Sequence, residues 1–266
     1  MAISFKEKIV WITGASSGIG EALAYEFAKE GSILILSSRR KEELEKVAQS
    51  CNSLGGKSFV FPLDLSDQSV VEEVADKVLS AFGHIDILVN NGGISQRSLV
   101  IETPVEVDRR IMEIDYFSGV ILTKKVLPAM VERGYGHFIV ISSITGKFGF
   151  TLRSAYAAAK HALHGFYESV WAELHSKGIH VTMVCPGRIH TNISMSALTK
   201  SGQPHGIMDH AQAGGISAEQ CAQKIMKGVK KQKIEVYIAG KEMLMIYFKR
   251  YIPWLFFKLV SRVKPT

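Results

Sequence analysis

Cysteine is scarce in these 266 residues. The three present, Cys51, Cys185 and Cys221, lie far apart, with no CxxC pair and no flanking histidine. An odd, dispersed set gives no disulfide framework and no zinc-site spacing, so a reducing, cytoplasmic setting without a resident metal is expected. Long apolar runs are missing too. No stretch of roughly 18 uncharged apolar residues occurs, which excludes a clear membrane-spanning helix. The opening MAISFKEKIVWITG enters a strand-like run at once, without the apolar core and small-residue cleavage site of a secretory signal. Internal repeats, low-complexity tracts and linkers are also absent, so one domain is expected.

Hydrophobic residues make up 47% of the chain and charged residues 21%, enough apolar surface for a full core and too much for disorder. The net charge of +7 is unevenly spread. Residues 224–266 hold eleven Lys or Arg against Glu235 and Glu242, a local charge of +9, which leaves the rest of the chain at −2. Nucleic-acid binders spread basic residues among aromatics over a binding face, and this body does not, so no nucleic-acid partner is expected. The basic, aromatic tail reads as a contact with anionic lipid or with another subunit.

Strand-like apolar runs alternate with amphipathic helical stretches along the chain. Strands are expected at 8–13, 33–37, 58–63, 85–90, 138–142, 181–185 and 234–238, the continuous apolar ones suiting a parallel sheet buried on both faces. A turn and helix closed by Gly31 are expected over 14–31, and helices over 41–54, 67–82 (with Ser66 as N-cap), about 105–131, 155–177, and from Ser217, where SAEQ forms a capping box. The fold class is therefore α/β, a single doubly wound parallel sheet with helices on both faces.

Between the first strand and first helix stands Thr13-Gly14-Ala15-Ser16-Ser17-Gly18-Ile19-Gly20. Gly14 allows a tight turn, Gly18 lets backbone approach a pyrophosphate, and Gly20 lets helix pack closely on sheet. The helix N-terminus then offers free N–H groups to phosphates. The spacing is TGxxxGxG, and further along come Asp64 in PLDL, Asn90-Asn91-Gly92-Gly93, Ser143, Tyr156-Ala-Ala-Ala-Lys160 and Pro186-Gly187-Arg-Ile-His-Thr191. In order and spacing these six motifs resemble the classical short-chain dehydrogenase/reductase family over about residues 5–240. The resemblance implies a catalytic domain of Rossmann type at 1–240, binding NADP(H) and carrying a substrate lid near 191–215, and a separate tail at 241–266. It also implies a homodimer or homotetramer.

A ribose 2′-hydroxyl is held by Asp or Glu, whereas a 2′-phosphate needs a cation. Residues 37–40 read Ser-Ser-Arg-Arg, without an acid. By resemblance Ser38 stands where NAD-preferring members carry Asp, and Arg39 where NADP-preferring members carry Arg, so NADP is expected over NAD. The remaining implied cofactor contacts are Gly14, Ser16, Ser17, Gly18, Ile19 and Gly20 in the loop. Asp64 and Leu65 follow, with Asp64 on the adenine amino group. Asn90 and Gly92 line the adenosine side, and Pro186, Gly187, Ile189 and Thr191 reach the carboxamide end.

Tyr156 and Lys160 are four apart and so share one helix face. Tyrosine ordinarily titrates near pH 10, and an ammonium one turn away favours its phenolate. The resemblance makes Tyr156 the proton donor to a carbonyl or acceptor from an alcohol, Lys160 its partner and a ribose ligand, and Ser143 the group orienting the substrate oxygen. Asp115 departs from the family, where an Asn supports a water chain to the lysine through its main-chain carbonyl and a local helix irregularity. Asp keeps the carbonyl and loses the amide donor, so a low-turnover nucleotide sensor or scaffold is the alternative to an oxidoreductase. His161 and His164 have no evident third metal ligand, Ser142-Ser143 lacks a GxSxG elbow, and Cys185 reads as inert packing. In the lid, Met195, Leu198, Ile207 and Met208 are expected to form an apolar inner surface, with Phe148 and Phe150 as aromatic wall. An apolar carbonyl or alcohol, steroid-, lipid- or retinoid-like, is the expected small-molecule partner. The tail, broken by Lys249, Arg250, Pro253 and Lys258, suits peripheral contact with a membrane surface.

Overall fold

A computed structural model describes residues 4–262, apart from the side chains of His210 and Ala211. Residues 1–3 of the strand-like opening and Lys264 of the basic tail lie outside the described residues.

Seven strands form one parallel sheet: β1 (Ile9–Thr13), β2 (Ile33–Ser37), β3 (Lys57–Val60), β4 (Ile87–Asn90), β5 (Gly136–Ile141), β6 (Ile179–Pro186) and β7 (Glu235–Ile238). Their spatial order is β3-β2-β1-β4-β5-β6-β7. The expected doubly wound sheet is thus formed. Because neighbouring side chains on a strand point to opposite faces, β1 divides itself between two cores. Val10 and Ile12 join α1 (Gly18–Lys29), α2 (Lys41–Ser53) and α8 (Ala218–Lys230). Trp11 joins α3 (Gln68–Phe82), α5 (Ser118–Glu132) and α6 (Ser154–Leu174) on the other face. Burial on both sides explains why β1, β4 and β5 are apolar without alternation.

Strand and helix ends shift by up to three residues from expectation, β3 for one stopping at Val60, and two differences have clear local reasons. Asp67, not Ser66, caps α3, its Oδ1 accepting from the N–H groups of Ser69 (3.0 Å) and Val70 (3.3 Å); Ser66 instead hydrogen-bonds Asp64. The single helix expected over 105–131 is interrupted. It runs as α4 (Val105–Met112), a π-helical turn at Glu113–Phe117, and α5. Periodicity cannot register one extra residue in a turn, and such bulges gather at functional sites.

After β6 the chain forms turns, the short α7 (His210–Ala213) and then α8. Two further helices, α9 (Leu244–Tyr251) and α10 (Pro253–Val260), follow β7. The strand order reverses between β1 and β4, and their carboxyl ends open the crevice where such sheets bind ligands.

Candidate active site

That crevice is a cavity of about 770 Å³. One end is the β1–α1 turn. Gly14 sits at φ 64° and Gly18 at φ 61°, a region L side chains rarely adopt. A Cβ on Gly14 would come within 2.8 Å of Asn91 Nδ2 and Gly92 Cα, and one on Gly18 within 3.1 Å of Thr191. A Cβ on Gly20 would strike the Gly14 carbonyl, so Gly20 does set the approach of helix to sheet. The loop is pinned from below: Thr13 Oγ1 accepts from the N–H groups of Asn91 and Gly92, each at 3.0 Å, and Asn91 Nδ2 donates to the Thr13 carbonyl at 2.9 Å. An open backbone cradle at a helix N-terminus suits a dinucleotide pyrophosphate, and these residues fit one.

Ser16, Ser17, Ile19, Ser38, Arg39, Asp64, Leu65 and Gly92 line the same cavity, as do Pro186, Gly187, Ile189 and Thr191. Asn90 does not. Its side chain turns into the core, donating to Tyr167 Oη at 2.6 Å, beside Thr123. A buried hydroxyl on α6 needs a partner, which no local sequence pattern reveals. Arg40, absent from the cofactor residues expected above, reaches the loop: its Nη2 donates to Ser16 Oγ (3.0 Å) and Ser17 Oγ (2.9 Å). The Ser-Ser-Arg-Arg run made both arginines visible, and only the fold tells them apart.

Ser143, Tyr156 and Lys160 line the same cavity. Ser143 ends the strand-to-helix turn after β5. Its Oγ accepts from Thr145 N (3.2 Å) and Thr145 Oγ1 (3.0 Å), which leaves its own hydrogen to donate into the cavity. Tyr156 and Lys160 stand one turn apart on α6, with Nζ 5.5 Å from the ring centroid. The helix start is held by Gln96, fully buried, whose Oε1 accepts from Ala155 N at 2.8 Å and whose amide donates to Ser154 and Thr103. Gln96 carries no motif signal and escaped the sequence reading.

Asp115, on the π-helical turn, is a direct neighbour of Lys160. Its Oδ2 lies 3.2 Å from Nζ, with both side chains at least 95% buried, and its Oδ1 accepts from Ile94 N at 2.7 Å. A Cβ on Gly93 would press on this carboxylate at 3.0 Å, so glycine there makes room for it. Lys160 also donates to the Ile141 carbonyl at 3.2 Å. Burial acts to lower the Lys160 pKa, but the charges of Asp115 and Tyr156 outweigh it and hold the amine above its ordinary value. Burial raises the Asp115 carboxyl against the pull of Lys160 and the Ile94 N–H. The pair therefore holds its proton firmly.

Residues 191–215, expected to form a substrate lid, differ from expectation in which side chains face the cavity. Leu198 is buried against α4 and α6, but Met195 and Ile207 are exposed, and Ser194 Oγ turns towards Met208 sulfur. The lid's cavity face is instead Asn192, Ile193, Ser196, Asp209 and Gln212. Phe148 and Phe150 do line the wall, and the tail backs it. Phe256 of α10 packs edge-on to Phe148 with centroids 5.7 Å apart, and Met245 of α9 reaches the cavity. The outer side of these helices leaves Tyr251 75%, Trp254 70% and Phe257 64% exposed. Among the described residues no helix is long and apolar enough to cross a membrane.

The fold also brings His164, Cys185 and Glu235 within 4.8 Å of one another, a grouping that sequence spacing did not suggest. The Glu235 carboxylate is already bound by the Lys147 ammonium and by Tyr237 Oη at 2.6 Å, so a cation already fills the place a metal would take. Burial pushes the Cys185 thiol up to about 12.

Residues 8–202 match the short chain dehydrogenase family. The dehydrogenase/reductase SDR family member 7B of Bos taurus is 40% identical over 263 residues, covering 96% of this chain and 81% of the relative. The dehydrogenase/reductase SDR family protein 7-like of Anopheles gambiae is 42% identical over 261 residues, covering 96% and 82%. Among solved structures, a short-chain dehydrogenase/reductase from Burkholderia phymatum in complex with NAD superposes with a TM-score of 0.84 at 20% identity, over 99% of this chain and 98% of that one. An alcohol dehydrogenase from Thermococcus sibiricus complexed with 5-hydroxy-NADP does so with a TM-score of 0.74 at 25% identity, over 88% and 96%.

Proposed function

We propose, from the premise that this chain belongs to the short-chain dehydrogenase/reductase family, that it is an NADP(H)-dependent carbonyl reductase or alcohol dehydrogenase acting on an apolar substrate. The observation that carries this reading is the shared cavity. Ser143, Tyr156 and Lys160 line the same cavity as the glycine loop. When bound, the nicotinamide supplies or accepts the hydride. Ser143, its lone pairs engaged by Thr145, donates to the substrate oxygen and fixes its position. Tyr156 gives that oxygen a proton in reduction and takes one in oxidation. Lys160, cationic beside Asp115, stabilises the phenolate left behind. The test is turnover of apolar ketones with NADPH, followed by its absorbance.

The NADP preference is supported by the two guanidiniums of Arg39 and Arg40 at the end of β2, where no carboxylate competes. Ser38→Asp with Arg39→Ala is expected to move the NADP:NAD ratio of kcat/KM towards NAD. Adding Arg40→Ala is expected to move it further, because Arg40 would otherwise remain to meet a 2′-phosphate. An unchanged ratio in the triple variant would contradict the assignment.

The tail supports peripheral binding to an anionic membrane. Aromatics crowd the outer side of α9 and α10 beside Lys249, Arg250, Lys258 and Arg262, and residues 243–262 contain no acid. Aromatic burial in the headgroup layer plus roughly 1 kcal/mol per basic residue near the surface would hold the enzyme there, weakening with salt. Co-sedimentation with phosphatidylserine vesicles is expected to fall when Tyr251, Trp254 and Phe257 are replaced by Ser and when salt is raised. Equal, salt-insensitive partitioning of the variant and the parent would point to a subunit contact instead.

A further inference from the structure

Beside Tyr156 the cavity wall carries Arg97 and Arg153 on one carboxylate, Asp209, with Arg188 also on the wall. Arg97 is fully engaged. Its Nε donates to Asp209 Oδ1 at 3.3 Å, its Nη2 to Oδ2, and its Nη1 to Ser95 Oγ and the Gln96 carbonyl. Arg153 is not. Its Nη2 shares the same Asp209 oxygen at 3.2 Å, while its Nε is buried without a hydrogen-bond partner among the described residues. Its guanidinium carbon lies 5.7 Å from the Phe150 ring centroid, which holds the group against the aromatic wall. Two guanidiniums on one carboxylate leave an uncompensated positive charge. Only one carboxylate compensates the pair, and an anion on the accessible part of Arg153 would balance the excess. Burial and the charges of Arg97 and Arg188 outweigh the support of Tyr156 and Asp209 and hold the Arg153 cation below its ordinary pKa.

We propose that Arg153, braced by Arg97 and Asp209, binds an anionic oxygen group, a carboxylate or phosphate monoester, carried by the ketone substrate. The proposal rests on the reductase reading and narrows it. The substrate is amphipathic, with an apolar chain against Phe148, Phe150 and Ile193 and an oxyanion on the arginine. Guanidinium suits such a group because its planar fork offers two parallel N–H donors. Asp209 takes a hydrogen of Arg153 Nη2, the Nε is buried, and Nη1, for which the described residues provide no partner, is the donor left to receive the ligand. Arg153 also stands directly before α6, three residues from Tyr156, so an oxyanion held there would help fix the carbonyl relative to the proton donor.

The test uses matched probes reduced with NADPH: a medium-chain γ-keto acid against its methyl ester, and a medium-chain α-hydroxyketone phosphate against the free α-hydroxyketone. In the parent, at least one charged probe is expected to exceed its neutral partner about a hundredfold in kcat/KM, and the better of the two identifies the source of the oxyanion. In Arg153→Gln that ratio should fall towards one. Arg153→Lys, which keeps the charge and the Asp209 pair but loses the fork, should give an intermediate ratio, and it serves if the Gln variant does not fold. A parent ratio near one for both pairs, or an unchanged ratio in the Lys and Gln variants, would overturn the proposal while leaving the reductase reading intact. If no ketone of any kind is reduced, the reductase reading fails. Calorimetric binding of decanoate and of decyl phosphate then decides the site by itself. Saturable binding weakened in the Arg153 variants supports it, and no binding by the parent overturns it.

Discussion

Tyr156→Phe is expected to lower kcat by about 10²–10⁴-fold, the range typical for a positioned general acid or base, while NADPH binding persists. The ring fills the same space, so packing on α6 is kept and only the hydroxyl goes. Nothing else in the cavity replaces it. Ser143 can hydrogen-bond the substrate oxygen, but an aliphatic hydroxyl is a far weaker acid than a phenol, and the Lys160 ammonium is committed to Asp115 and the Ile141 carbonyl. Steady-state kinetics with an apolar ketone, beside NADPH titration of each protein, checks this. Retention of more than about a tenth of kcat, less than ~1.4 kcal/mol of barrier, would remove Tyr156 from the chemistry.

Asp115→Asn is expected to move the alkaline limit of activity to lower pH. The sign follows from the pair. Lys160 is held above its ordinary pKa because the charges of Asp115 and Tyr156 outweigh its burial. Removing the carboxylate leaves burial less opposed, so the ammonium loses its proton at a lower pH and its support for the phenolate ends earlier. Stability should respond as well. Leaving one member of a buried ion pair alone costs roughly 3–5 kcal/mol when the partner is truncated, and Asp115→Ala should approach that loss in chemical denaturation. Asn, which keeps an oxygen for the Ile94 N–H, should lose less. An unchanged pH–kcat profile in the Asn variant would mean that only the residue 115 carbonyl matters, and an upward shift would contradict the electrostatic account. An inactive parent with an active Asn variant would favour the nucleotide-sensor alternative.

These two positions also mark how far the sequence could be read. Tyr156 and Lys160 were legible because a helix places residues four apart on one face, and the presence and order of the strands were legible because buried parallel strands are apolar. Their ends shift by up to three residues, as where β3 stops at Val60. The Asp115–Lys160 contact was only half legible. Its residue type stood out, but its distance depends on the π-helical turn at Glu113–Phe117 and on the space left by Gly93. Asn90 misled because a strand-end Asn can face the crevice or the core, and Tyr167, 77 residues away in sequence, decides it. Gln96 and the Arg153–Asp209 contact were invisible for the same reason. Each joins loops whose approach is set by tertiary packing and leaves no periodic trace. The lid failed most. Apolar residues in a loop of turns carry no period that says which side faces in, and Met195 and Ile207 face out.

The central claim is that one cavity both holds NADP(H) and moves a proton through Tyr156. The most direct measurement is NADPH consumption by the full chain against a panel of apolar and amphipathic ketones, with Tyr156→Phe run in parallel. The account predicts ketone-dependent consumption by the parent and its near loss in the variant. Tight NADPH binding with no ketone turned over by the parent would contradict it.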